Sequence, residues 1–272
     1  MSELVIEAGS IERQYWRDVW RYRELLFFFV WRDLLVRYKQ TVVGVSWSLI
    51  RPLLTMAVLT VVFGRLSKMP AGGLPYPLLV LCGMLPWQLF STAMSESGNS
   101  LVSHSNMISK IYFPRMVIAV SSVMTSLVDF LISFIFLIAL MAWYRFVPPA
   151  NVAFLPLFIM MVVGASVGVG LWIAALMVEY RDFRFIVPFI VQFGLYVSPV
   201  GFQSGVVPAR FQLLYALNPM VGIIDGFRWS LLGRSSPLNL QALVIASLEI
   251  VILLVSGIWY FRKTERTFAD VI

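Results

Sequence analysis

From residue 42 onward the chain is a succession of long apolar blocks separated by short polar interruptions. A helix rises ~1.5 Å per residue, so crossing a hydrocarbon core of ~30 Å takes ~20 apolar residues. Six blocks approach that length: 42–63, 76–94, 116–143, 152–178, 185–202 and 238–261. Each predicts a transmembrane helix, and together they predict an all-α integral membrane protein of a single transmembrane domain. The interruptions behave as turns. Residues 67–75 hold a cluster of Gly and Pro, Pro148-Pro149 closes the turn after the third block, and the second block gives way after Met94 to Ser95, Glu96, Ser97, Gly98, Asn99 and Ser100.

Two further segments are too short or too mixed to cross. In residues 11–40, Arg13, Arg17, Arg21 and Glu24 recur at three- and four-residue spacing with Trp16, Val19 and Trp20 beside them, and the apolar run 25–31 is brief. That pattern predicts an amphipathic helix lying in the membrane interface, aromatic on one face and basic on the other. An ordinary solvated helix would not carry Trp16, Trp20 and Trp31. Residues 204–237 contain two apolar stretches, 211–217 and 220–232, broken by Asn218-Pro219. Half-helices of this size predict a re-entrant hairpin between the fifth and sixth spans, which protein or a water-filled cavity must cover; the plainer alternative is a loop lying on the surface.

Composition agrees with lipid as the solvent: 60% of residues are apolar, 13% are charged and the mean hydropathy is +0.84, whereas a soluble domain is about a quarter charged. The net charge of +7 need not imply a nucleic-acid partner, because cytoplasmic loops of membrane proteins collect Lys and Arg. With both termini inside, the inner segments hold Arg13, Arg17, Arg21, Arg23, Arg32, Arg37, Lys39, Lys110, Arg115, Arg181, Arg184, Arg262, Lys263 and Arg266. The outer ones hold only Arg65, Lys68, Arg145, Arg210, Arg228 and Arg234. Residues 1–10 lack the basic start and apolar core of a cleavable signal, so the N-terminus is expected to stay in the cytoplasm. The single cysteine, Cys82, excludes an internal disulfide and a cysteine-based metal cluster.

Candidate chemistry is sparse. The inner loop 101–115, with His104, Asn106, Ser109, Lys110, Tyr112 and Arg115, reads as a short mixed helix able to dock on a cytoplasmic partner, stopped by Pro114. His104 has no second histidine to complete a metal site. The loop at Tyr180, Arg181 and Asp182 is either a second contact or a salt-bridged turn. Asp129 and Glu249 lie near mid-span, with Arg51 in the inner half of the first block. They are proton relays or they pair with hydroxyls, amides or Arg51 within the bundle. Gly164, Gly168 and Gly170 smooth the fourth span for close packing. Trp47, Tyr76, Trp87, Trp143, Tyr144, Tyr196 and Tyr215 fall near span ends, where aromatics form an interfacial belt and a few can line a sugar path. No G-x-x-x-x-G-K-[ST] phosphate loop, D-x-D pair or nucleophile elbow stands out, so no catalysis and no cofactor or metal is expected of this chain.

Five motifs in order carry a resemblance. They are Arg37-Tyr38-Lys39-Gln40-Thr41 with residues 44–52; Gly83-Met84-Leu85-Pro86-Trp87; Ile108-Ser109-Lys110-Ile111-Tyr112-Phe113-Pro114-Arg115; Tyr180-Arg181-Asp182-Phe183; and Leu217-Asn218-Pro219-Met220 with Arg228. Over nearly its whole length the chain resembles the ABC-2 type permeases that export polysaccharides such as O-antigen, capsule and teichoic acid. The resemblance implies a permease subunit in the bacterial plasma membrane, paired with a second copy of itself and with two cytoplasmic ATPase chains that bind ATP and Mg. It implies a coupling helix at 101–115, with His104, Ser109, Lys110, Tyr112 and Arg115 joined by Tyr180, Arg181 and Asp182 as ATPase contacts. It also implies outer gate helices at 204–232, including Phe211, Tyr215, Asn218, Pro219 and Arg228. The implied cargo is a glycan on a polyprenyl diphosphate lipid. Arg37, Lys39 and Arg51 are then candidate diphosphate contacts, and Trp47, Trp87 and Tyr196 candidate lining of the path. An ABC-2 exporter of a drug or lipid shares the fold, and a proton-coupled transporter using Asp129 and Glu249 is the third reading, although no inverted repeat is visible.

Overall fold

The computed structural model describes residues 12–39, 46–108, 110, 113–265 and 268, without the side chains of 12–14, 46–49, 51 and 234. Ser109, Tyr112 and the side chains of Trp47 and Arg51 therefore lie outside the described residues. The chain runs through α1 (Glu12–Arg21), α2 (Arg23–Lys39), α3 (Ser46–Leu59), α4 (Tyr76–Ser103), α5 (Ser105–Ile108), α6 (Met116–Trp143), α7 (Leu155–Glu179), α8 (Phe183–Val197), α9 (Ala209–Ala216), α10 (Pro219–Leu232) and α11 (Leu240–Thr264). Among the described residues there is no strand.

Four helical segments are long and apolar enough to cross a membrane: Tyr76–Ser103, Met116–Trp143, Ala150–Glu179 and Leu240–Thr264. Pro52–Leu66 and Phe183–Val197 are apolar but shorter. α3 runs without a break into a π-helical stretch, Thr60–Leu66, and Ser67 N–H reaches back to Val62 O at 2.9 Å. The wider turn shortens the rise per residue there.

α4 corrects the expected end of the second block at residue 94, since the helix continues to Ser103. Several of its polar residues bond back to the helix itself. Ser95 Oγ donates to Ser91 O and Asn99 Nδ2 to Ser95 O, both at 2.9 Å, and Ser100 Oγ donates to Ser97 O at 2.6 Å. The helix is also the most enclosed of the four, with 83% of its apolar window buried against 22–33% for the others. A helix surrounded by protein need not be apolar, so hydropathy ends before the helix does. The expected helix 11–40 is likewise two helices. The bend at Tyr22 turns Tyr15, Tyr22, Leu25, Leu26 and Phe29 toward a cluster with Phe113, Phe261 and Phe268, while Phe27, Phe28 and Trp31 stay exposed on the other side. α2 is therefore apolar on both faces, and the amphipathic pattern read from residues 13–21 belongs to α1.

Packing is centred on α4, which lies against α6, α7 and α10, while α11 closes on α7 and α10. The α7–α11 crossing is nearly backbone on backbone. A Cβ on Gly168 would stand 2.7 Å from Leu253 C, and one on Gly257 would stand 2.4 Å from Gly168 O. One large core runs through the bundle, and a second, containing Phe29, Leu101, Ile108, Phe113, Phe261 and Phe268, gathers the N-terminal helices, the start of α6 and the end of α11.

Candidate functional site

Polar chemistry collects at three levels of the bundle. At the end where α4 finishes and α6 begins, His104 caps α4 and is held on both sides: Nδ1 lies 2.7 Å from Ser100 O, and Nε2 faces the Arg32 guanidinium. Arg32 is a donor only, so Nε2 accepts and the proton is assigned to Nδ1. Phe29 packs against both His104 and Phe113 with ring centroids 6.1 and 6.0 Å away. The segment expected as a helix over 101–115 is divided. Residues 101–103 complete α4, and only Ser105–Ile108 form a separate turn of helix. Arg115 is also engaged internally, because its backbone N–H donates to Glu265 Oε1 at 2.7 Å and its guanidinium to Glu265 O. Tyr15 Oη donates to Glu265 Oε2 at 2.9 Å. Burial raises the Glu265 pKa above the ordinary glutamate value, against the opposing pull of the Arg115 N–H and Tyr15. Lys110, Tyr180, Arg181 and Asp182 are exposed. Of the expected partner contacts, these four present themselves outward, whereas His104 and Arg115 fix the loop from within.

Nearer the middle, Arg37 on α2 forms ion pairs with Glu96 on α4 and Asp129 on α6, and Tyr38 Oη donates to Asp129. Ser126 Oγ adds a bond to Glu96 at 3.3 Å. Asp129 thus meets a cation, Arg37. Arg37, expected to face a diphosphate, lies between two carboxylates, and the three charged groups sum to one negative charge. Lys39 is exposed. Glu249 Oε2 has no hydrogen-bond partner among the described residues. Beside the ionic cluster is a groove of about 470 Å³ between α3, α4 and α8. The α4 wall supplies Gln88, Ser91, Thr92, Ser95 and Glu96, a polar stripe at helical spacing. Trp87 also lines it, although its indole is only 6% exposed and is wedged against Gly194, where a Cβ would come within 2.4 Å of the ring. Tyr196 is exposed and is not part of that groove. Glu96 was hidden in the sequence because it follows the apparent end of the second apolar block.

At the far end, Asn218 and Pro219 start α10. Asn218 Oδ1 accepts from Met220 N–H and its Nδ2 donates to Ser198 Oγ, both at 3.0 Å, and Pro219 occupies the first turn, where no N–H is needed. Arg228, wholly buried, points its fork at three backbone carbonyls: Leu79 O at 3.1 Å, Val200 O at 2.7 Å and Phe202 O at 2.7 Å. The expected fifth span, 185–202, ends at Val197, and residues 198–202 turn to offer the carbonyls of Val200 and Phe202, while α4 offers that of Leu79. Gly83 is explained by the same group, since a Cβ there would lie 2.4 Å from Arg228 Nη2. Asp225 is buried beside it and accepts from Ser204. Tyr215 Oη is buried without a hydrogen-bond partner among the described residues, whereas Phe211 is exposed. The two short helices expected around Asn218-Pro219 are present as α9 and α10. They differ in kind: α10 is packed into the bundle, and α9 exposes Phe211, Leu213 and Leu214.

Among the described residues, no three His, Cys, Asp or Glu side chains cluster to hold a metal. Gly164-Ala165-Ser166-Val167-Gly168 spells the letters of a nucleophile elbow. It lies inside α7 with Ser166 buried, and lacks the strand-turn-helix geometry that exposes such a serine.

Long apolar helices, glycine-mediated crossings and internally satisfied polar groups define a multi-pass α-helical membrane protein. The profile of the ABC-2 type transporter family matches residues 24–232, from α2 to the end of α10. The chain belongs to the ABC-2 type transporter family and is a membrane component of a transport system. It is similar to the O-antigen export system permease protein RfbA of Klebsiella pneumoniae, 27% identical over 92% of this chain and 95% of that one. A protein of the same description from Myxococcus xanthus is 26% identical over 92% of this chain and 96% of its own.

Proposed function

We propose that this chain is the permease subunit of an ATP-driven exporter that carries a polyprenyl-diphosphate-linked surface polysaccharide across a bacterial plasma membrane. The observation that carries this reading is end-to-end similarity to O-antigen export permeases, at 92% coverage of this chain and 95–96% of theirs. Two copies of the chain assemble with two cytoplasmic ATPase subunits, which bind the ATP and Mg. Each copy crosses the membrane six times, with Pro52–Leu66 and Phe183–Val197 as the two shorter spans and both termini inside. α9 and α10 form a re-entrant pair at the outer mouth. The groove beside α4 supports a carbohydrate cargo, because a stripe of hydroxyl and amide groups with an aromatic edge matches the alternating polar and C–H surfaces of sugars.

Within this reading Lys110, Tyr180, Arg181 and Asp182, together with Ser109 and Tyr112, meet the ATPase, while His104 and Arg115 hold the loop in position. Lys39 and Arg51 meet the diphosphate, with Arg37 anchoring α2 beside them. Trp47, Trp87 and Tyr196 border the path, and Phe211, Tyr215, Asn218, Pro219 and Arg228 build the outer gate. Deleting the gene tests the cargo. Lipid-linked glycan stranded on the cytoplasmic side is the expected result, and unchanged surface polysaccharide refutes it.

A further inference from the structure

Three segments far apart in the sequence converge on one carboxylate at the inner end of the bundle. Glu265 directly follows α11. Its Oε1 takes the backbone N–H of Arg115, its Oε2 takes the hydroxyl of Tyr15 on α1, and its carbonyl takes the Arg115 guanidinium. Arg115 immediately precedes α6, and no side chain of its own caps that helix. Glu265 therefore caps α6 from another helix, accepting an N–H at the end where the aligned peptide dipoles favour an anion. Aromatic contacts reinforce the junction. Arg262 lies 4.7 Å from the Tyr15 ring centroid, Arg115 lies 5.9 Å from that of Phe268, and Phe268 stacks edge-on against Phe261 at 5.4 Å. Phe261 and Phe268 are fully buried in the inner cluster that also holds Phe29 and Phe113.

We infer that Glu265 is a positioning residue that joins the loop before α6, the interface helix α1 and the inner end of α11 into one mechanical unit. Motion delivered to the loop before α6 then passes directly into α11, and through the close α7–α11 crossing into the bundle. The packed aromatic cluster supplies the stiffness, and the carboxylate supplies the register. This inference rests on the proposed function's assignment of 101–115 as the segment facing the ATPase.

The test uses the permease–ATPase complex in proteoliposomes, with spin labels at Lys110→Cys and Lys263→Cys on one of the two permease copies. Both lysines are exposed, and Cys82 is fully buried and does not take label. In the otherwise unaltered chain the distance between labels stays fixed between the ATP-bound and ADP-bound states. Glu265→Ala makes the distance change with nucleotide and, in unlabelled chains that keep Lys110 and Lys263, lowers cargo moved per ATP hydrolysed by about tenfold, in the range typical of coupling between sites. Glu265→Gln, which keeps a carbonyl acceptor for the Arg115 N–H, stays close to the unsubstituted ratio. A label distance that already changes with nucleotide in the unsubstituted chain, or one that stays fixed in Glu265→Ala, overturns the inference. Should Glu265→Ala fail to assemble, Arg115→Met carries the test by deleting the guanidinium bond to the Glu265 carbonyl: a nucleotide-dependent distance supports the bridge and a fixed one overturns it. The distances are read without cargo, so absence of glycan transport counts against the proposed function and leaves the bridge to be decided by the labels.

Discussion

Adding one methyl group at Gly83 should expose how the Arg228 end of the bundle is held. A Cβ there meets Arg228 Nη2 at 2.4 Å, Arg228 Cζ at 2.9 Å and Val200 O at 2.9 Å. Ordinary non-bonded contacts lie near ~3.5 Å, so the guanidinium must retreat by about 1 Å. It has nowhere to go, because all three of its nitrogens are bound to carbonyls at 2.7–3.1 Å and the side chain is wholly buried. Either the overpacking strain stays, at about 1–3 kcal/mol, or one charge-assisted bond breaks, at about 1.5–3 kcal/mol. Gly83→Ala should therefore destabilise the protein by about 2 kcal/mol. Arg228→Met should cost more, about 3–5 kcal/mol, because it strands the three carbonyls. The decisive measurement is Gly83→Ala in the Arg228→Met background, read from the midpoint of reversible unfolding of purified protein in mixed micelles. With the fork gone the two contacts to Arg228 disappear and only Val200 O at 2.9 Å remains, so the change should cost clearly less than in the parent, about 1 kcal/mol or less. Additive costs, with Gly83→Ala equally harmful in both backgrounds, would refute the reasoning.

The same unfolding assay checks the remaining contacts. Gly168→Ala drives a Cβ into the backbone of Leu253 and Leu254 and should cost about 1–3 kcal/mol. Gly164→Ala meets only side-chain ends of Ile250 and Leu254 at 3.2 and 3.4 Å and should be nearly neutral; equal costs at the two sites would contradict the described crossing. Asn218→Ala removes the α10 cap and the bond to Ser198 and should cost about 1–2 kcal/mol, whereas Asn218→Asp, which keeps the cap, should lose less. Arg37→Met leaves Glu96 and Asp129 without their cation and should cost about 1–3 kcal/mol, less than a fully buried pair would because the Arg37 side chain is 30% exposed. Adding Glu96→Gln and Asp129→Asn to that variant should recover most of the loss.

Much of the helix inventory is legible in hydropathy, because lipid-facing helices such as α6, α7 and α11 must be apolar along their length. The same signal fails on α4, whose second half packs against other helices and can carry Ser95, Glu96 and Asn99 because each has a hydrogen-bond or ionic partner. Local rules read the α9–α10 break well, since Asn218-Pro219 has no reading inside a continuous helix. Tertiary pairings are what a single sequence conceals. Asp129 with Arg37, Gly83 with Arg228 and Arg115 with Glu265 are separated by 92, 145 and 150 positions, and no local pattern links them. Arg228 illustrates the cost. Counted by charge it belongs to an outer loop, yet it is among the most deeply buried side chains in the protein.

Reconstitution tests the central claim most directly. The chain is placed in proteoliposomes with its partner ATPase and a polyprenyl-diphosphate-linked glycan, and the sugar that reaches the far side is measured. Export that needs both ATP and the ATPase, with no flux from the chain alone under a proton gradient, is the predicted result. Glycan movement by the chain alone, driven by that gradient, would contradict the account.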